Sequence, residues 1–115
     1  MRFPRENDFL EEFGISPIEV DPGLALIRFL VKSNDGNVEL DFSFSAVMES
    51  FQVVWRFANR DMMVISSEKV SAIEMIRDDS GAGIRVVFDV CESISEARVN
   101  IEPDISCRWW TLRSS

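Results

Sequence analysis

Glu39 and Asp41 stand two residues apart in Val38-Glu39-Leu40-Asp41-Phe42-Ser43-Phe44-Ser45, a spacing that puts both carboxylates on one face of a β-strand. Paired carboxylates can act as general acid and base in glycoside hydrolysis. With twenty acidic residues among 115, however, acids two apart are the ordinary product of a strand with a solvated face. The pair is therefore read as surface charge, not as a catalytic dyad. Asp78-Asp79 could attract a hard cation, but the further oxygen ligands of a calcium loop are missing from that segment. The chain has no His and no Tyr, which excludes Ser-His-Asp and Cys-His machinery and His-ligated metals. Cys91 and Cys107 form no Cys-x-x-Cys pair and have no His companion, so a zinc site is not expected. Both are read as reduced, partly buried thiols. Gly81-Ala82-Gly83 has no strand-to-helix setting and reads as a turn, not as a phosphate loop. No catalytic residue, metal or cofactor is expected.

The twenty acids face twelve basic residues, for a formal charge of −8. A protein that holds phosphates needs a positive surface, so direct nucleic-acid binding is not expected. An acidic surface instead suits a basic protein partner, because carboxylates can stand in for phosphates before Lys and Arg side chains. The candidate contacts are Glu39, Asp41 and Arg56 on the solvent face of two strands, and Asp35, Asp78 and Asp79 at turns. Trp109 and Trp110 must point to opposite faces of a strand. Trp110 is the candidate apolar anchor, and Val54, Val87 and Leu112 could extend an exposed patch.

These side chains need a frame, and the pattern supplies one. Residues 7–13 read as a short helix capped by Asn7, with Phe9, Leu10 and Phe13 on one face and Gly14 ending it. From about residue 18 the period becomes two, which marks half-buried strands. Asp35-Gly36 signals a type I′ hairpin. That loop sets Val31 opposite Leu40, Phe29 opposite Phe42 and Ile27 opposite Phe44, with Lys32 opposite Glu39 on the other face. A one-residue slip would destroy every pair. Further strands are read at 51–58, 62–66, 84–90, 97–101 and 107–112. Phe51, Val53, Trp55, Phe57 and Phe88 face inward. Residues 68–77 fit helix or strand, and the hairpin with 84–90 is preferred. The chain is read as one mainly β domain, 1–115: an antiparallel meander of seven or eight strands forming a barrel or sandwich, with one N-terminal helix.

No apolar run approaches the roughly 18 residues of a membrane span. The segment Met1-Arg2-Phe3-Pro4-Arg5-Glu6-Asn7-Asp8 turns acidic at once, without the apolar stretch of a secretory signal, so a cytoplasmic location is expected.

In size, charge and strand layout the chain resembles the immunity proteins of bacterial polymorphic-toxin and contact-dependent growth inhibition systems. The local features nearest to these are Glu68-Lys69-Val70 leading into Ile73-Glu74 and the terminal Cys107-Arg108-Trp109-Trp110-Thr111-Leu112-Arg113. The resemblance implies tight binding of a cognate toxin domain, often a nuclease, with its active site blocked. A small-ligand β-barrel carrier and a non-catalytic accessory or oligomeric subunit are the alternatives. A large internal cavity would favour the carrier, and a filled core with an acidic exterior the inhibitor.

Overall fold

The computed structural model describes residues 3–90 and 92–114, with residues 90 and 112–114 described by their backbone. Helix α1 (Glu6–Phe13) precedes nine strands: β1 (Glu19–Asp21), β2 (Leu26–Lys32), β3 (Val38–Ser45), β4 (Ser50–Phe57), β5 (Arg60–Ser67), β6 (Val70–Asp78), β7 (Gly81–Val90), β8 (Ser93–Glu102) and β9 (Ser106–Ser114). Strands β1–β5 form one antiparallel sheet and β6–β9 another, each in chain order. The sheets pack as a sandwich and do not close into a barrel. The ninth strand is β1, whose three residues are all exposed and so carry no core-facing signal.

The hairpin register is the one the alternation dictates. Phe29 pairs with Phe42, Val31 with Leu40, Ile27 with Phe44 and Lys32 with Glu39. The turn itself differs from the type I′ expectation. Ser33 closes the loop by donating its amide to the Val38 carbonyl at 2.8 Å, and the Gly36 amide donates to the Ser33 carbonyl at 2.9 Å. Gly36 takes the left-handed conformation at φ 79°, whereas Asp35 does not. A two-residue loop at 35–36 and a four-residue loop at 34–37 share one centre, so the strand pairing is identical for both.

Alternate residues of both sheets meet in the interior. Phe29, Leu40, Phe42, Phe44, Phe51 and Val53 come from the first sheet, and Val70, Ile73, Ile84, Val86, Phe88 and Val99 from the second. The helix closes this core through Phe9, whose ring lies 4.3 Å from Phe29 and 5.8 Å from Phe44. The expected cap, Asn7, lies inside the helix. The N-cap is Arg5, whose amide donates to the Asp8 carboxylate at 2.7 Å. Leu10 is exposed, not on the buried face: Phe9 is buried in the core and Phe13 packs against it half-buried, while Leu10 turns to solvent. Phe57, expected inside, is also exposed: it ends β4, beyond the reach of the second sheet.

Residues 70–78 are strand, as the preferred hairpin requires. The loop is tighter than the glycines suggest. Asp78 pairs with Gly81 around Asp79-Ser80. No described helix is long and apolar enough to cross a membrane.

Candidate partner-binding surface

The outward face of the first sheet begins with β3, where Leu40, Phe42 and Phe44 turn inward and Glu39, Asp41, Ser43 and Ser45 turn outward. Cross-strand pairing then aligns Lys32, Glu39, Arg56 and Asp61 in one row. Asp41 stands in the next row, beside Leu30 and Val54. The expected exposure of Asp41 on this face is corrected by its surroundings. Asp41 is 5% exposed because two arginines close over it. Arg28 donates from Nε at 2.8 Å and from Nη2 at 2.7 Å, and Arg56 donates from Nη1 at 2.8 Å. Hydrogen bonding from Arg28, then from Arg56, holds the Asp41 carboxyl below the usual carboxylate range against the opposing effect of burial. The same bonds raise both guanidinium groups. Arg28 also reaches Glu19 at 3.3 Å, and Arg56 reaches Asp61 at 2.8 Å.

Glu39 lies half-buried, with Lys32 at 3.9 Å. Asp35 is exposed at the hairpin tip and accepts from the Ser33 hydroxyl at 2.6 Å and the Asn37 amide at 3.0 Å. The Ser33 bond is the main reason its carboxyl is lowered. Asp78 accepts twice from Arg98, at 2.6 and 2.8 Å, and once from the Ser80 amide at 2.9 Å. These bonds, Arg98 first, drive its carboxyl far below the normal range. Asp79 is exposed in the turn. The predicted residues thus divide among both sheets and do not form one cluster.

The second sheet carries a network that the sequence analysis did not single out. Ala97, Val99 and Ile101 of β8 enter the core, so Glu96, Arg98 and Asn100 face outward, yet all three are buried. Arg85 pairs with Glu74 at 3.2 Å and with Glu96 at 3.1 Å. Arg98 donates to Asn100 at 2.8 Å. The signal was present in the alternation of Glu96, Arg98 and Asn100 with the three apolar residues. Its meaning depends on β6 and β7, which bring Asp78 and Arg85 alongside.

Carboxylates held in this way stay ionised and are poor proton donors at neutral pH. Among the described residues no group of three or more His, Cys, Asp or Glu is placed to hold a metal. Val54 is buried on the first sheet and Val87 half-buried on the second, so these two do not form an exposed apolar patch. Leu112 lies outside the described side chains.

Exposed apolar side chains stand in the β3–β4 turn, at Val47 and Met48, and on two edge strands. On β5 they are Met62, Met63 and Val64, and on β9 Trp109. Trp110 faces outward and is half-buried, with the Arg108 guanidinium 5.5 Å above its ring. Cys107 is half-buried and unpaired, and burial pushes its thiol up to about 11. Cys91 lies outside the described residues. Two open clefts flank the first sheet. One of about 650 Å³ is lined by Ser43, Ser50, Gln52, Ser66, Glu68 and Asp89. Another of about 400 Å³ lies beside Phe3, Val20, Pro22 and Leu26.

No protein-family model matches the sequence, and no curated protein matches it. Among solved structures, the chain is similar to one from a contact-dependent growth inhibition toxin–immunity protein complex of Klebsiella pneumoniae 342. The similarity has a TM-score of 0.84 at 25% identity and covers 95% of each chain. The resemblance seen in the sequence therefore extends to the whole fold.

Proposed function

We propose that the chain is the immunity protein of a contact-dependent growth inhibition system, a non-catalytic inhibitor that binds and neutralises its cognate toxin in the cytoplasm. One observation carries the proposal: the whole fold matches a chain of a toxin–immunity complex, with nothing large left over on either side. That complex has two kinds of component. The charge of −8 and the absence of His and Tyr fit the inhibitor better than an enzyme that must approach a polyanion. The interior between the sheets is occupied by Phe9, Phe29, Phe42 and Phe44, which favours the inhibitor over a carrier with an internal cavity.

The finer reading is that the toxin is a basic, nucleic-acid-directed enzyme whose active site is occluded in the complex. Asp35, Glu39, Asp78 and Asp79, with Arg56 beside Glu39, supply field and contacts that steer the encounter. Trp110 and its neighbours supply the desolvated anchor that sets the lifetime. Asp41 is committed to Arg28 and Arg56 and acts by holding the sheet face.

The test is binding of the toxin domain encoded beside this gene, followed by stopped flow from low to high salt. A tight one-to-one complex is expected. Its on-rate should fall as salt rises, because charges beyond about 8–10 Å are screened at physiological ionic strength. Failure to form a complex would overturn the proposal.

A further inference from the structure

We infer that the toxin docks on the free edge of β9, adding an extended segment of its own as a fifth strand of the second sheet. The segment would place a carboxylate beside Arg108 and an apolar side chain over Trp109. This rests on the immunity reading and specifies its contact.

The four sheet edges differ. β1 is only three residues long. Next to β6 lie the N-terminal segment and the helix: Phe3, Pro4 and Asp8 share a cleft with Ile73 and Met75, and Glu12 pairs with Arg77 at 3.1 Å. β5 and β9 are long and have one paired neighbour each. Long open edges invite another strand. On β5 the exposed apolar groups are aliphatic, and Asp61 is already held by Arg56.

On β9 two cross-strand rows stop short. The first runs Ile73, Val86, Ala97, Trp109. It belongs to the core face, and the Trp109 ring lies 6.3 Å from Phe88, yet Trp109 is 52% exposed because the sheet ends there. The second runs Glu74, Arg85, Arg98, Arg108. Arg85 has Glu74 and Glu96, and Arg98 has Asp78. Arg108 has the Trp110 ring and no carboxylate among the described residues. The next position along this row is where an opposite charge would pair across strands.

Strand addition draws affinity from main-chain hydrogen bonds and specificity from alternate side chains. Trp and Arg are the residue types that dominate binding energy in protein interfaces. A second copy of β9 cannot be the occupant on these terms, since Ser106-Cys107-Arg108-Trp109-Trp110-Thr111 has no acid to offer Arg108.

The experiment is amide hydrogen exchange on the full chain with and without its toxin, joined to binding constants for three variants. Edge amides within residues 107–111 should gain protection in the complex. Arg108→Glu, with unchanged thermal unfolding, and Trp109→Ala should each weaken binding roughly 30-fold or more, while Met62→Lys should bind as the wild type does. Tight binding with unprotected β9 amides, or with Arg108→Glu behaving as wild type, overturns the docking site and leaves the immunity reading standing. Protection of β9 that grows with protein concentration in the absence of toxin also overturns it, in favour of self-association. A wild-type chain that binds no toxin removes both.

Discussion

Asp41 accepts two hydrogen bonds from Arg28, at 2.8 and 2.7 Å, although it stands on the face of β3 that turns away from the core. A carboxylate between Leu40 and Phe42 would ordinarily be solvated. Here Arg28 from β2 and Arg56 from β4 replace that water, and the three charges tie three strands together on the outside of the sandwich.

Replacing Asp41 by Asn should therefore destabilise the fold by about 2–3 kcal/mol at neutral pH, since it leaves two guanidinium groups without their shared acceptor. The Asp41 carboxyl is lowered in the folded state, so its stabilisation is full above its unfolded value of about 3.9 and is lost as pH falls through the folded one. Urea titrations of both proteins should show a constant gap from pH 6 to 8 that narrows below about pH 4. A gap independent of pH down to acid unfolding would contradict this account.

Phe42→Ala should cost more, about 3–5 kcal/mol, because the ring is wholly buried and stacks on Phe29 at 5.2 Å. On the opposite face of the same strand, Glu39→Gln removes only a half-exposed pair with Lys32 and should stay within about 1 kcal/mol. Denaturant midpoints decide the order of these two effects. Equal losses would mean that Phe42 is not a core residue.

Gly83→Ala tests the close pairing of β7 with β8. An added Cβ would collide with the Val99 carbonyl oxygen and lie 2.7 Å from the Asn100 Cα. Backbone atoms cannot yield as a flexible side chain can, so the variant should lose cooperative unfolding or show a strongly lowered midpoint in a thermal melt. Wild-type stability would show that the two strands are further apart.

Cys107 should be a slow thiol. With its thiol pushed up to about 11, against about 8.5 for a free cysteine, the reactive thiolate is scarce at pH 8. In a Cys91→Ser variant, disulfide-reagent labelling of the folded chain should be roughly a hundredfold slower than in denaturant. Equal rates would place Cys107 at the surface.

Much of the fold could be read from local pattern. Val38 to Ser45 alternates without a break, and the loop centre between Asp35 and Gly36 fixes the pairing of Phe29 with Phe42 whichever turn closes it. The β6–β7 hairpin followed from Ile73 and Met75 alternating about Glu74. What stayed hidden depends on neighbours distant in sequence. Asp41 and Arg98 look like ordinary surface charges until strand order brings Arg28, Arg56 and Asp78 beside them. The exposure of Trp109 follows from its position at the end of a sheet, which no alternation reveals. β1 has no core-facing side chain and so left no periodic signal.

Neutralisation is read in toxin activity titrated with this chain. The purified toxin domain encoded beside the gene would be mixed with increasing amounts of the wild-type protein, and its action on its own substrate followed. A linear fall to full inhibition is expected, with a break at one chain per toxin. Cells carrying the toxin gene should likewise survive only when this chain is co-expressed. Undiminished toxin activity at a large molar excess of the folded protein would contradict it.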